Sequence, residues 1–281
     1  MTTASDKAEV ILYDESRAAA WRKWFHIMEA GAQNLSDRMV ALASVSPGSH
    51  VLDIATGLGE PALTAAHATG PSGRVLATDL SADMLALAKE RANDLSLDHV
   101  EFQVMDANRI DFPDATFDAV LSRWGMMFVA GLDDTLGAIR SCLKPGGAFV
   151  AAVWGDPEDA PAVSLGNRVL LQSLGLPPPE EGPMTPFALR DTDALCERAR
   201  SAGFGDVTGE WVDVVYDFET ADVFVEYRRD RSGSLLDKLA HVPADDMEAA
   251  WRSVGEAAGA FTLPDGTVRM TNRAFCLVAR R

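Results

Sequence analysis

The chain has 281 residues, 47% of them hydrophobic, and a formal net charge of −17 at pH 7. That size supports a full core and suits one large α/β domain, or one with an added cap, better than two equal domains. So acidic a surface repels phosphate backbones, which disfavours a nucleic-acid partner, and no apolar run approaches the length of a membrane span.

The first ten residues, MTTASDKAEV, are polar and acidic with no apolar signal-peptide core, so a cytoplasmic protein is expected. ESRAAAWRKWFHIMEAG (15–31) reads as a helix ending at Gly31, and NLSDRMVALAS (34–44) as a second helix with Leu35, Met39 and Leu42 on one face. A ProGly turn at 47–48 precedes a buried strand, HVLDIA (50–55). Strands and helices then alternate. The helix ALTAAHAT (62–69) leads to the strand RVLATDL (74–80). Ser81 can cap the helix ADMLALAKERANDL, with Met84, Leu85, Ala88, Ala92 and Leu95 as its apolar stripe. VEFQVMD (100–106) and FDAVLSRW (117–124) follow as strands. The helix 132–143 is stopped by LysProGlyGly at 144–147, before the strand AFVAAVW (148–154). Apolar strands in β-α alternation imply a parallel sheet covered by helices.

After Trp154 the rhythm loosens. A helix over 161–175, a proline-rich link and a helix over 191–204 lead to a strand over 207–218. Residues 219–259 read as mostly helical with a ValPro break at 242–243, and 268–279 return as a last strand. The 219–259 segment therefore reads as a lid or cap that interrupts a strand pair. Cys142, Cys196 and Cys276 are widely separated with no CxxC spacing, and the five histidines are scattered. Neither a disulfide framework nor a metal site is expected.

The most informative stretch is VLDIATGLGEPAL (51–63). A strand ending in a glycine turn that opens a helix gathers free backbone N–H groups and lets a ligand touch the main chain. GLGEPA (57–62) satisfies G-x-G-x-x-G/A, and Asp79 lies 20 residues past Gly59, so a nicotinamide dinucleotide would fit on this alone. Two features argue otherwise. Asp53 stands inside the strand, where it would repel a pyrophosphate and attract an ammonium-bearing ligand. Asp106 adds a further carboxylate at the end of the third strand, which suits a polar, unphosphorylated ligand.

On these residues the sequence resembles the class I S-adenosylmethionine-dependent methyltransferases over about 35–155. VLDIATGLGEPAL, ATDLS (77–81), MDANRIDFPDATFDAV (105–120) and LKPGGAFV (143–150) match that family's motifs in order. RSAGFGDV (200–207) and FCLVARR (275–281) are loosely similar to the C-terminal halves of the ubiquinone/menaquinone C-methyltransferases. The resemblance implies an α/β, Rossmann-like, doubly wound and mostly parallel seven-stranded sheet, with N-terminal helices and a helical cap before the last strand. It implies one domain, 1–281, with a cofactor-binding half at 35–155, substrate-side helices and cap at 1–34 and 155–267, and a final strand at 268–281.

The resemblance also assigns roles toward S-adenosyl-L-methionine. Gly57 and Gly59 bring the backbone against the methionine end, and Asp53 faces the ammonium directly or through water. Asp79 accepts from the ribose hydroxyls while Leu80 packs on the adenine. Asp106 accepts from the adenine amino group, and the Ala107 N–H binds a ring nitrogen. Ser122 and Arg123 sit beside the methionine portion, and Ala55 and Met84 complete the set. Each acid also has a plainer reading. Asp53 can cap the turn, Asp79 the next helix, Asp106 can open a loop, and Arg123 can pair with one of many acids.

The implied chemistry is in-line methyl transfer to a largely apolar small molecule, in which the protein aligns the reactants and excludes water. Candidate acceptor walls are the N-terminal helix (Tyr13, Trp21, Trp24, Phe25, His26), Trp124–Phe128 including Met127, and the cap; aromatic residues at helical spacing also fit a core. His26 is the first candidate base, needed only if the acceptor must lose a proton. A cofactor held for a non-methylating cyclisation or rearrangement, and a nicotinamide-linked oxidoreductase, remain as alternatives.

Overall fold

The computed structural model describes residues 15–178 and 182–281. Its first helix, α1 (Glu15–Leu42), runs unbroken where two helices are expected. Trp24, Met28, Ala32, Leu35 and Met39 are all buried, three or four residues apart, so one apolar stripe continues through Gly31. Gly31 does not stop the helix but lets it approach its neighbour. A Cβ there would stand 2.1 Å from the Val215 carbonyl oxygen and 2.6 Å from the Tyr216 ring.

The alternation then follows as β1 (His50–Ile54), α2 (Ala62–Thr69), β2 (Arg74–Asp79), α3 (Ala82–Asp94), β3 (Val100–Val104), β4 (Phe117–Arg123), α4 (Leu132–Cys142) and β5 (Leu143–Trp154). Strand β5 takes in the LysProGlyGly segment expected as a turn, because Leu143 already pairs with Phe117. Helix α3 ends one residue earlier than expected, and Leu95 is 46% exposed; Leu97, 7% exposed, fills the core position instead.

The remaining elements are α5 (Pro161–Ser173), α6 (Thr192–Ser201), β6 (Asp206–Phe218), α7 (Ala221–Arg231), α8 (Gly233–Lys238), α9 (Ala244–Ala258) and β7 (Val268–Arg280). The segment between β6 and β7 is therefore helical. It breaks at Ser232 as well as ahead of α9, where Pro243 is the N-cap.

The seven strands form one sheet in the order β3-β2-β1-β4-β5-β7-β6. Pairs β1–β2, β2–β3, β1–β4 and β4–β5 are parallel, and β7 runs antiparallel to β5. This is the α/β, Rossmann-like, mostly parallel sheet expected. The antiparallel β7 between β5 and β6 departs from the all-parallel 3-2-1-4-5-6 order of the dinucleotide-binding fold. Leu52, Ile54, Phe117, Leu121 and Phe149 are fully buried, as central strands covered on both faces require. The chain runs outward from β1 through β2 to β3 and returns on the other side of β1 as β4. Ligands in such sheets bind at the strands' carboxyl ends, where the order reverses, which here is between β1 and β4.

The described residues group into two compact units. The larger comprises 33–156, 182–213 and 273–281 and holds the whole of β1 to β5. The smaller comprises 15–32, 157–178 and 214–272. In the smaller unit the rings of Phe218, Phe224 and Tyr227 pack on one another, and Trp24 meets Tyr227 edge-on at 5.6 Å. The buried Asn272 ties this unit together, accepting from the Ala162 N–H and donating to the carbonyls of Val214 and Met270. Among the described residues, no helix is long and apolar enough to cross a membrane.

Candidate active site at the ends of β1 and β4

Asp53 is fully buried in β1, between Ala77 of β2 and Leu121 of β4. One carboxylate oxygen, Oδ2, accepts from the Thr56 hydroxyl at 2.6 Å and from the Ala62 N–H at 3.0 Å, which satisfies one of the otherwise orphaned donors at the start of α2. The other, Oδ1, is buried without a hydrogen-bond partner. Burial pushes this carboxyl up to about 7, against the pull of Thr56, Arg123 and the Ala62 N–H. Asp53 thus caps the turn with one oxygen, as its plainer reading has it, and the other oxygen has no hydrogen-bond partner.

The glycine turn is left-handed at Gly57 (φ 57°) and Gly59 (φ 99°), and its N–H groups are already used. The Gly57 N–H donates to Asp79 Oδ2 at 2.8 Å, and the Gly59 N–H to the Thr56 carbonyl at 3.0 Å. This corrects the expectation of free donors at that point. A pyrophosphate would find these two N–H groups spent and two carboxylates close by. What the glycines supply is the absence of a Cβ.

Asp79 ends β2, 5% exposed, and its second oxygen accepts from the Ser81 N–H at 2.9 Å. Burial raises its titration, opposed by the N–H groups of Ser81, Gly57 and Leu80. The helix cap is Ser81, whose hydroxyl accepts from the Met84 N–H. Each Asp79 oxygen retains a lone pair, so accepting from two ribose hydroxyls remains chemically open. Met84 is buried, with its Cε 3.6 Å from where a Cβ on Gly57 would stand. Leu80 is 38% exposed.

Asp106 accepts from the backbone and side-chain nitrogens of Asn108 at 2.8 and 2.9 Å, all on Oδ1, and Oδ2 lies 3.6 Å from Arg109. Ala107 follows it at the start of a short 3-10 turn. The Ser122 hydroxyl donates to the Ile54 carbonyl at 2.9 Å, locking β4 to β1. Arg123 is 9% exposed and donates to Ser36 at 2.9 Å. Beyond the strand ends, Ala55 (φ 58°) and Trp124 (φ 61°) are both left-handed without being glycine. Such backbone is costly and gathers at functional sites. Trp124 stacks on Trp154 at 4.5 Å and 17°, while Met127 is only 2% exposed.

Of the other candidates, Tyr13 lies outside the described residues. Trp24 belongs to the smaller unit, 4% exposed, with its indole N–H on Asp230 at 2.8 Å. His26 is exposed on the same helix, also in the smaller unit.

Sequence reasoning missed the fastening of the glycine turn. Arg91 of α3 donates to the Leu58 carbonyl and to Glu60 at 3.1 Å, and Glu60 accepts from the Thr64 hydroxyl at 2.7 Å. Glu60 lies ahead of α2, so its contact with Thr64 is not a within-helix i,i+4 pair and had no helical spacing to read. The Arg91 contact, 31 residues away from Glu60, had no local signal.

The residues fit S-adenosylmethionine on two observations, an orphaned buried carboxylate oxygen suited to an ammonium and a turn without Cβ atoms. Comparison with known proteins agrees. Residues 51–147 match the family model described as a methyltransferase domain. A demethylmenaquinone methyltransferase from Symbiobacterium thermophilum is 36% identical over 134 residues, covering 47% of this chain and 49% of that protein. A ubiquinone/menaquinone biosynthesis C-methyltransferase from Pseudomonas fluorescens is 33% identical over 159 residues, covering 56% and 62%. The chain therefore spans about half to three-fifths of the length of these relatives. Among solved structures, the YcgJ protein of Bacillus subtilis superposes with a TM-score of 0.58 at 18% identity, covering 89% of this chain and 98% of that one. At that identity the likeness shows the fold.

Proposed function

We propose that this chain, whose residues 51–147 match the methyltransferase-domain model, is a class I methyltransferase that transfers a methyl group from S-adenosyl-L-methionine to a largely apolar small molecule. The observation that carries the reading is the buried, unpartnered Asp53 Oδ1 at the β1–β4 switch point, beside a glycine turn whose own N–H groups are spent. When bound, S-adenosylmethionine supplies a methyl group activated by a sulfonium. Asp53 Oδ1 accepts from the ammonium. Gly57 and Gly59 admit the methionine end against the main chain, beside Ala55 and Met84. Asp79 accepts from the ribose hydroxyls and Leu80 covers the adenine. Asp106 accepts from the adenine amino group, and the Ala107 N–H donates to a ring nitrogen. Ser122 and Arg123 flank the methionine portion.

The protein's part in the reaction is alignment and the exclusion of water. The stacked Trp124–Trp154 pair suits an apolar, flat acceptor. The two curated relatives bear names of demethylmenaquinone and ubiquinone/menaquinone methylation, and an acceptor of quinone-like chemistry is the first to test. His26 serves as the base where the acceptor must lose a proton. The test is incubation with S-adenosylmethionine and a set of hydroquinone and phenol acceptors. S-adenosylhomocysteine formed in step with a methylated product supports the reading. A product formed without S-adenosylhomocysteine would assign a non-methylating reaction instead.

A further inference from the structure

Trp124 carries an indole N–H that is buried and has no hydrogen-bond partner. Its backbone is left-handed, and the glycine after it is there because nothing larger fits. A Cβ on Gly125 would stand 2.6 Å from the Ala55 Cβ and 2.8 Å from the Ser122 hydroxyl. The chain thus accepts backbone strain to hold this one side chain flat against Trp154 at the end of β4. Packing alone does not account for the choice. Phenylalanine would give a similar stack with no orphaned donor, and buried donors left unpaired are costly.

The Arg123 guanidinium lies 4.9 Å from the Trp124 ring centroid, and it also draws the titration of Asp53 down, so one cation lies near both orphaned atoms. A buried donor beside a guanidinium suits an anionic acceptor. Asp53 stands on the neighbouring strand, paired with Leu121, three residues before Trp124. The anionic group of S-adenosylmethionine is the carboxylate of its amino-acid end, next to the ammonium.

We infer that the Trp124 Nε1–H donates to the carboxylate of the amino-acid end of the bound ligand, opposite Asp53 at its ammonium. This rests on the S-adenosylmethionine reading and gives the polar edge of Trp124 a role apart from the acceptor wall.

The test is isothermal titration of the wild-type protein and Trp124→Phe with S-adenosylhomocysteine and with 5′-methylthioadenosine, which lacks the amino-acid end. The expected result is a five- to tenfold loss of affinity for S-adenosylhomocysteine in the variant, with 5′-methylthioadenosine binding unchanged within twofold. Equal affinity of wild type and variant for S-adenosylhomocysteine overturns the inference. So does a parallel loss for both ligands, which would mean a contact to the nucleoside or a structural role. Failure of the wild type to bind S-adenosylhomocysteine overturns the methyltransferase reading itself. Should Trp124→Phe not fold, the 15N-labelled wild-type indole spectrum decides. One of the signals from its six tryptophans shifts downfield with S-adenosylhomocysteine and stays in place with 5′-methylthioadenosine. No shift, or the same shift with both, refutes it.

Discussion

Replacing Asp53 by Asn separates the stability cost of the site from its use. The folded carboxyl titrates at about 7 against an ordinary 3.8, because burial penalises its charge. Its raised value means the fold favours the protonated form. The contribution to stability is complete below about pH 4 and is lost as pH rises through 7, a swing of ~4 kcal/mol. That value already includes the downward pull of Thr56, Arg123 and the Ala62 N–H and the upward push of Glu60. An ammonium at Oδ1 needs the ionised form, so binding below pH 7 must first release a proton. Affinity of the wild type for S-adenosylhomocysteine should therefore fall about fivefold from pH 7 to pH 6, approach tenfold per unit below that, and level off above pH 8. Asp53→Asn keeps one oxygen for Thr56 and Ala62 and places an uncharged amide at the orphaned position. At pH 8 it should be at least as stable as wild type in urea denaturation and bind S-adenosylhomocysteine at least tenfold more weakly, and its affinity should vary less steeply with pH than that of the wild type. Asp79, also raised by burial, adds the same trend in both proteins, so the difference between them isolates Asp53. Titration calorimetry at pH 6, 7 and 8 measures it. Parallel pH profiles for the two proteins would refute the reasoning.

Asp79→Ala removes the acceptor of the Gly57 and Ser81 N–H groups and of the ribose, so binding should weaken by roughly 2–4 kcal/mol; unchanged affinity in calorimetry takes Asp79 out of the ribose role. His26→Ala should lower turnover of a methylated acceptor and leave S-adenosylhomocysteine affinity intact, and an undiminished rate rejects His26 as the base. Gly31→Ala forces a Cβ to within 2.1 Å of the Val215 carbonyl oxygen and should cost about 1–3 kcal/mol or more in urea denaturation. An unaltered midpoint would mean that α1 and β6 do not meet there.

Strand and helix order through Trp154 was legible because each element carries its own periodicity and its own stop signal. Helix α2 begins and ends at its expected residues, and most of the others shift by one or two. Gly31 misled because a glycine looks the same to the sequence whether it ends a helix or admits a neighbour, and only the contact with Val215 distinguishes the two. The aspartates were legible as a set, since a carboxylate in an apolar strand demands an explanation. How each oxygen is shared was not. Thr56, Ser81 and the Gly57 N–H take part of that capacity through turns whose geometry the residue types leave open. Trp124 could be read as an apolar wall, whereas its unpartnered N–H emerges only with the stack on Trp154.

The account stands on where one small molecule sits. A crystal structure with S-adenosylhomocysteine tests this most directly. The account predicts its ammonium within hydrogen-bonding reach of Asp53 Oδ1, directly or through one water, and its ribose hydroxyls on Asp79. Density for the ligand elsewhere, or its absence at saturating concentration, would contradict it.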